Sequence, residues 1–134
     1  MTEEIEKMLQ HTVAYATELL QETGEAYPFG AFLDTIDNVH PLEMEIDPKN
    51  VPTNGKVIEN LSTYCTTEMA ADKMNAFALA YEVQVQLEAD ADPIEAIAID
   101  MTHKTEKNIP LFYLPYTAND TKSASIGQLF AVKR

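Results

Sequence analysis

Apolar and polar positions change period along this chain, and the changes mark out its elements. Near the start, Ile5, Met8, Leu9, Ala16, Leu19 and Leu20 recur at helical spacing, with Glu6, Lys7, Gln10, Glu18, Gln21 and Glu22 opposite them. Thr2 is placed to cap this helix, Glu3 and Glu4 sit near the positive end of its dipole, and Gly24 ends it. The period then shifts to two. "YPFGAFLDTI" predicts a strand, because Pro28 forces Tyr27 into an extended conformation and Phe29, Ala31 and Leu33 alternate. After the turn "TIDN", the segment "HPLEMEID" sets Leu42, Met44 and Ile46 against Glu43, Glu45 and Asp47, a strand with one wet face.

The breaker-rich run "PKNVPTNG" leads into a second helix over residues 56–74, with Ile58, Leu61, Cys65 and Met69 as its stripe, helped by Val57 and Tyr64. "ALAYEVQVQLEA" alternates again, Leu79, Tyr81, Val83, Val85 and Leu87 reading as core and Ala80, Glu82, Gln84, Gln86 and Glu88 as a polar face. Past the turn "DADP", "IEAIAIDMT" carries Ile97, Ile99 and Met101 at the same period and is expected to pair antiparallel with it. "IPLFYLPY", a polar loop "TANDTKSAS" and a last apolar segment "IGQLFAV" complete the pattern. The expectation is a single α+β domain over residues 1–134, in the order α-β-β-α-β-β-β with one further strand at the end. An antiparallel sheet of five to six strands would carry both helices on one face, in two layers.

A chain of 134 residues has room for one domain with a real core, and no window approaches the roughly 20 apolar residues that span a bilayer. The opening "MTEEIEKMLQ" is acidic and amphipathic, unlike a secretory signal, which places the protein in the cytoplasm by expectation. One cysteine, Cys65, fits a reducing compartment, and without an export route the sequons at Asn60 and Asn119 read as chance. The formal net charge of −13 repels phosphate backbones and anionic lipid, so neither nucleic acid nor membrane is an expected partner. A basic protein is favoured.

Templates for chemistry fail one after another. His11, His40 and His103 are scattered over different elements, and Asp100 and His103 lie three apart on a strand, so their side chains point to opposite faces. "DADP" lacks the glycine and further ligands of a calcium loop, and Asn50 stands where a phosphate loop ending in "NGK" needs its first glycine. Neither Cys65 nor Ser62, Ser123 or Ser125 sits in a nucleophile elbow. No metal, no cofactor and no catalytic residue is predicted.

The stretch "GEAYPFGAFLDTID" draws most interest, with Tyr27, Phe29 and Phe32 around Pro28 and Gly30, and Asp34 close behind. Gly30 has no side chain where a neighbour presses close, so the reading is mainly architectural. Tyr113, Pro115 and Tyr116 form a second aromatic group able to pack on the first. Together, "GEAYPFGA", "YEVQV", "AIAIDMTHKT", "FYLPY" and "IGQLFA" resemble, in order and over most of the chain, a family of small bacterial proteins. That family has a "GEFYPFGA" type signature near the first strand and "LPY" near the end. Gly24, Glu25, Tyr27, Pro28, Phe29, Gly30 and Ala31 fit the signature, and Ala26 departs from it where an aromatic is expected. The resemblance implies a bacterial origin and an intact domain, and it implies no activity. In general shape the expected fold is also similar to profilin-like domains and small acidic secretion chaperones, without fixing function.

Two functions follow as expectations. The first is a non-enzymatic protein-binding module of chaperone, immunity or regulatory type, taking a basic protein or a second copy of itself. Its binding surface would be a polar sheet face with Glu82 and Glu88 beside an acidic strand. The alternative is a small-molecule site or an enzyme built from Tyr27, Asp34, Tyr113 and Tyr116.

Overall fold

The computed structural model describes residues 1–118 and 124–134. The sequon at Asn119, Ser123 and the centre of the polar loop fall outside the described residues. Helix α1 (Glu3–Thr23) begins at Thr2, whose hydroxyl accepts the Ile5 N–H, and ends at Gly24, whose φ of 77° is the left-handed conformation that stops a helix. Strands β1 (Phe29–Leu33) and β2 (Val39–Leu42) form a hairpin. Its turn places Asp37 at φ 62°, with the Asp37 N–H on the Asp34 carbonyl at 3.1 Å.

Helix α2 (Asn54–Ala70) starts from Thr53, whose hydroxyl accepts the Lys56 N–H. It stops short of residue 74, because Ala71 is no longer helical and Met74 turns into the core. Strands β3 (Ala76–Val85), β4 (Ile94–His103) and β5 (Leu111–Ala118) make the centre of the sheet. The predicted last strand is two, β6 (Ala124–Ile126) and β7 (Phe130–Val132), both paired to β5. Gly127 divides them by donating its N–H to the Pro115 carbonyl at 2.8 Å. All pairings are antiparallel, in the order β2-β1-β3-β4-β5-β6 with β7 beside β6 on β5, so the α+β class and element order are as predicted.

The helices do not share a face, which corrects the two-layer expectation. Ile5, Met8, Leu9, Ala16 and Leu20 of α1 pack in one cluster with Ala31, Ala76, Ala78, Ala80, Ile97 and Ile99. Val57, Leu61 and Cys65 of α2 pack in another, with Phe77, Leu79 and Phe32. On β3, Ala76, Ala78 and Ala80 point to one side and Phe77 and Leu79 to the other. Alternation of Leu79 and Tyr81 with Ala80 and Glu82 suggested a single core face. Alanines, however, let a helix backbone come close, and the strand is buried on both sides from Ala76 to Ala80. A central strand of this kind loses the in-out contrast on which the binary reading depends. Among the described residues no helix is long and apolar enough to cross a membrane.

Candidate functional site

Helix α2 rests on β1 and β3, so among the described residues no helix lies over the same face of β4 and β5. The registers define what lies there. Tyr81 stands opposite Ala98, Ala98 opposite Tyr113 and Tyr113 opposite Phe130, a row across four strands. The next row is Val83, Ala96 and Pro115, and Val85 faces Ile94 beyond it. Ala96 and Ala98 are buried, whereas Tyr81, Val83, Tyr113, Pro115 and Phe130 are half-exposed. Small side chains on β4 between larger ones on β3 and β5 make a shallow apolar strip with an alanine floor. Its Tyr113 and Phe130 rings pack with centroids 5.4 Å apart.

One end of the strip is polar. Asp100 pairs with Arg134 at 2.7 Å, and the same guanidinium donates to the carbonyls of Met101 at 3.0 Å and Ile109 at 3.1 Å. Burial, followed by the charge of Asp100, raises the Tyr81 phenol above its ordinary value, with Arg134 opposing. Neither the Tyr81 nor the Tyr113 hydroxyl has a hydrogen-bond partner among the described residues, so both can serve an incoming group. Among the described residues no three His, Cys, Asp or Glu side chains gather where a metal could sit.

The residues expected to form a pocket are dispersed. Tyr113 lies on the strip. Tyr116, three residues on, points to the α1 side and is buried, its phenol pushed far up by burial and then by Glu82, Glu95 and Glu25. Asp34 is committed to the β1–β2 turn, where its carboxylate accepts the N–H groups of Ile36 at 3.0 Å and Asn38 at 2.9 Å. It also meets His40 Nε2 at 2.7 Å, and the hydrogen bond from that imidazole, followed by Asn38, holds the carboxyl below its ordinary range. His40 in turn stacks on Phe32 at 5.0 Å.

Tyr27 donates its hydroxyl to the Pro52 carbonyl at 2.6 Å, tying the loop before α2 to the start of β1. It lines a half-open cleft of about 390 Å³ with Leu19, Glu25, Phe29, Glu43 and Met44, so of its expected companions Phe29 is there while Asp34, Tyr113 and Tyr116 are not. Glu82 is not a free surface carboxylate either. It sits on the α1 side, half-buried, and accepts the Ala26 N–H at 2.7 Å. Glu88 is exposed but lies beyond the end of β3, so no strand face unites the two. Glu43 and Glu45, in contrast, are exposed on alternate positions as the period of two required.

Tyr81, Asp100 and Arg134 were missed as surface groups. The signal for them was the count of elements, since two helices cannot cover both faces of a seven-stranded sheet. The chain matches no protein-family model, no curated protein and no solved structure.

Proposed function

We propose that this is a non-enzymatic protein-binding module of the cytoplasm, of chaperone, immunity or regulatory type, which docks its partner on the strip between Tyr81 and Phe130. The observation that supports the reading is the face of β4 and β5, over which no helix lies among the described residues, with apolar side chains and two phenol groups that have no hydrogen-bond partner among those residues. Tyrosines on a rigid sheet suit protein recognition, because each contributes large contact area and a polar tip at small entropic cost. A net charge of −13 steers a basic partner toward the chain and opposes a second copy at low salt, so a basic protein is the leading occupant.

Affinity capture from a bacterial lysate with the parent chain and with a Val83→Ser, Tyr113→Ser double variant tests this. Both positions are half-exposed, so the variant should keep the parent's melting profile while its affinity for the captured protein falls by roughly tenfold or more. Retention of the same protein at the same affinity would remove the strip from the account. The small-molecule alternative is favoured by one observation, the cleft of about 390 Å³ beside Tyr27, and it no longer involves Asp34, Tyr113 or Tyr116.

A further inference from the structure

Beyond Leu42 the chain stays by the sheet but leaves the ladder. The Asp34 N–H donates to the Asn38 carbonyl at 2.9 Å, which sets the phase of the β1–β2 pairing. Hydrogen-bonded pairs alternate in an antiparallel ladder, so Phe32 with His40 and Gly30 with Leu42 are the next two. The one after would be Pro28 with Met44, and Pro28 has no N–H to give. The ladder therefore ends. Residues 43–46 make no backbone hydrogen bond to the described residues.

The same phase turns the N–H and C=O groups of positions 39 and 41 away from β1, toward the open side of β2, and residues 43–46 run on beyond the last pair. Pro41 removes the donor at one of them, which blunts the edge along β2 itself and leaves its usable part at 43–46. Side chains there alternate without exception: Glu43 and Glu45 are exposed, Met44 and Ile46 half-buried toward α2. Neither glutamate takes part in an ion pair among the described residues. On one side lies the cleft of about 390 Å³ that Glu25 and Glu43 border. On the other is a groove of about 330 Å³ lined by Leu42, Met44, Leu61 and Tyr64, the last 48% exposed. No Lys, Arg or His lines either one.

We propose that residues 43–46 are a docking edge for an extended segment of another protein in which basic and apolar residues alternate, added as a strand outside β2. Main-chain bonds to positions 43 and 45 would hold the segment. Its basic side chains would meet Glu43 and Glu45 on one face, and its apolar ones would enter the groove beside Tyr64 on the other. This deepens the protein-binding reading with a partner chemistry and uses residues separate from the Tyr81–Phe130 strip.

Fluorescence anisotropy with a fluorescein-labelled peptide of sequence KVKLKV tests it at low and at physiological salt. The alternating peptide should bind at least about tenfold more tightly than KKKVVL and than a KVKLKV peptide N-methylated at alternate residues, because only the first offers both pattern and main-chain donors. Glu43→Gln with Glu45→Gln should weaken it by roughly tenfold and flatten its salt dependence, and Tyr64→Ala should weaken it several-fold. Val83→Ser with Tyr113→Ser should leave it unchanged, which separates this edge from the strip. No binding of KVKLKV at low salt, or equal binding of all three peptides, would overturn the proposal.

Discussion

Gly30 offers the sharpest test of the packing that sets up both surfaces. A Cβ at this position would stand 2.7 Å from the Ala78 carbonyl oxygen and 3.7 Å from Cδ2 of both Leu42 and Leu79. The first contact is far inside the ~3.5–4.0 Å at which non-bonded heavy atoms attract. The leucine tips can turn aside, but the carbonyl belongs to β3, whose ladder with β1 runs from Phe29 opposite Ala80 to Leu33 opposite Ala76. Relief therefore requires separating two strands. Overpacking of this kind costs about 1–3 kcal/mol, offset by the ~0.4–1 kcal/mol that replacing a glycine removes from unfolded-chain entropy. A net loss of about 1.5 kcal/mol is expected for Gly30→Ala, and more for Gly30→Val.

Unfolding entropy of about 2.1 cal/mol/K per residue over 134 residues makes 1.5 kcal/mol equal to a Tm drop of about 5 °C. Gly55→Ala is the matched control. A Cβ there meets nothing within 4 Å, and the residue lies in the first turn of α2, so alanine should raise Tm by about 2–3 °C through helix propensity. Differential scanning calorimetry of parent and both variants gives the answer. A Gly30→Ala Tm at or above the parent's, with Gly55→Ala behaving as expected, would refute the argument that β3 requires glycine on its neighbour.

Glu82→Lys should lower stability by roughly 1–2 kcal/mol in urea denaturation, because it removes the acceptor of the Ala26 N–H, whereas exposed Glu88→Lys should fall within about 0.5 kcal/mol of the parent. Cys65 is fully buried, and burial followed by the charge of Glu68 pushes its thiol up to about 12 from 9.0, so a thiol-specific dye should label it only in denaturant. Since this folded value lies above the unfolded one, its contribution to stability is complete below pH 9.0 and is lost as pH rises toward about 12. Cys65→Ser should lessen that alkaline loss in pH-dependent urea melts. Asp34 has the opposite sign: its folded carboxyl lies below 3.8, so its contribution is present above that pH and lost as pH falls through the folded value. Asp34→Ala should therefore lower Tm at neutral pH and narrow its difference from the parent in acid, read by circular dichroism.

The elements were legible wherever one periodicity held. Helix α1 was set by its stripe and by Thr2 and Gly24, and β4 by its clean period of two. Three features were hidden. Alanines on β3 read as neutral in a binary pattern, yet they are what admits α1 to the face opposite α2. The end of β2 at Leu42 depends on Pro28, which is distant in sequence and adjacent only once the hairpin register is known. Tyr27, Tyr113 and Tyr116 share a residue type that invites grouping, but an odd spacing on β5 sends Tyr113 and Tyr116 to opposite faces. That last point could have been read from the sequence. The count of elements implied an uncovered face, but its position on β4 and β5 could not be read, because it depends on where α2 lies across the sheet.

The central claim is that the face of β4 and β5 left open by α2 is occupied by another protein. Photo-crosslinking in living cells tests it directly, with p-benzoylphenylalanine in place of Tyr113 on the strip and, as a control, in place of Glu22 on the exposed side of α1. A discrete adduct is expected at position 113, of a mass set by a basic partner rather than twice the chain, and none at 22. No adduct at 113, or the same adducts from both positions, would contradict it.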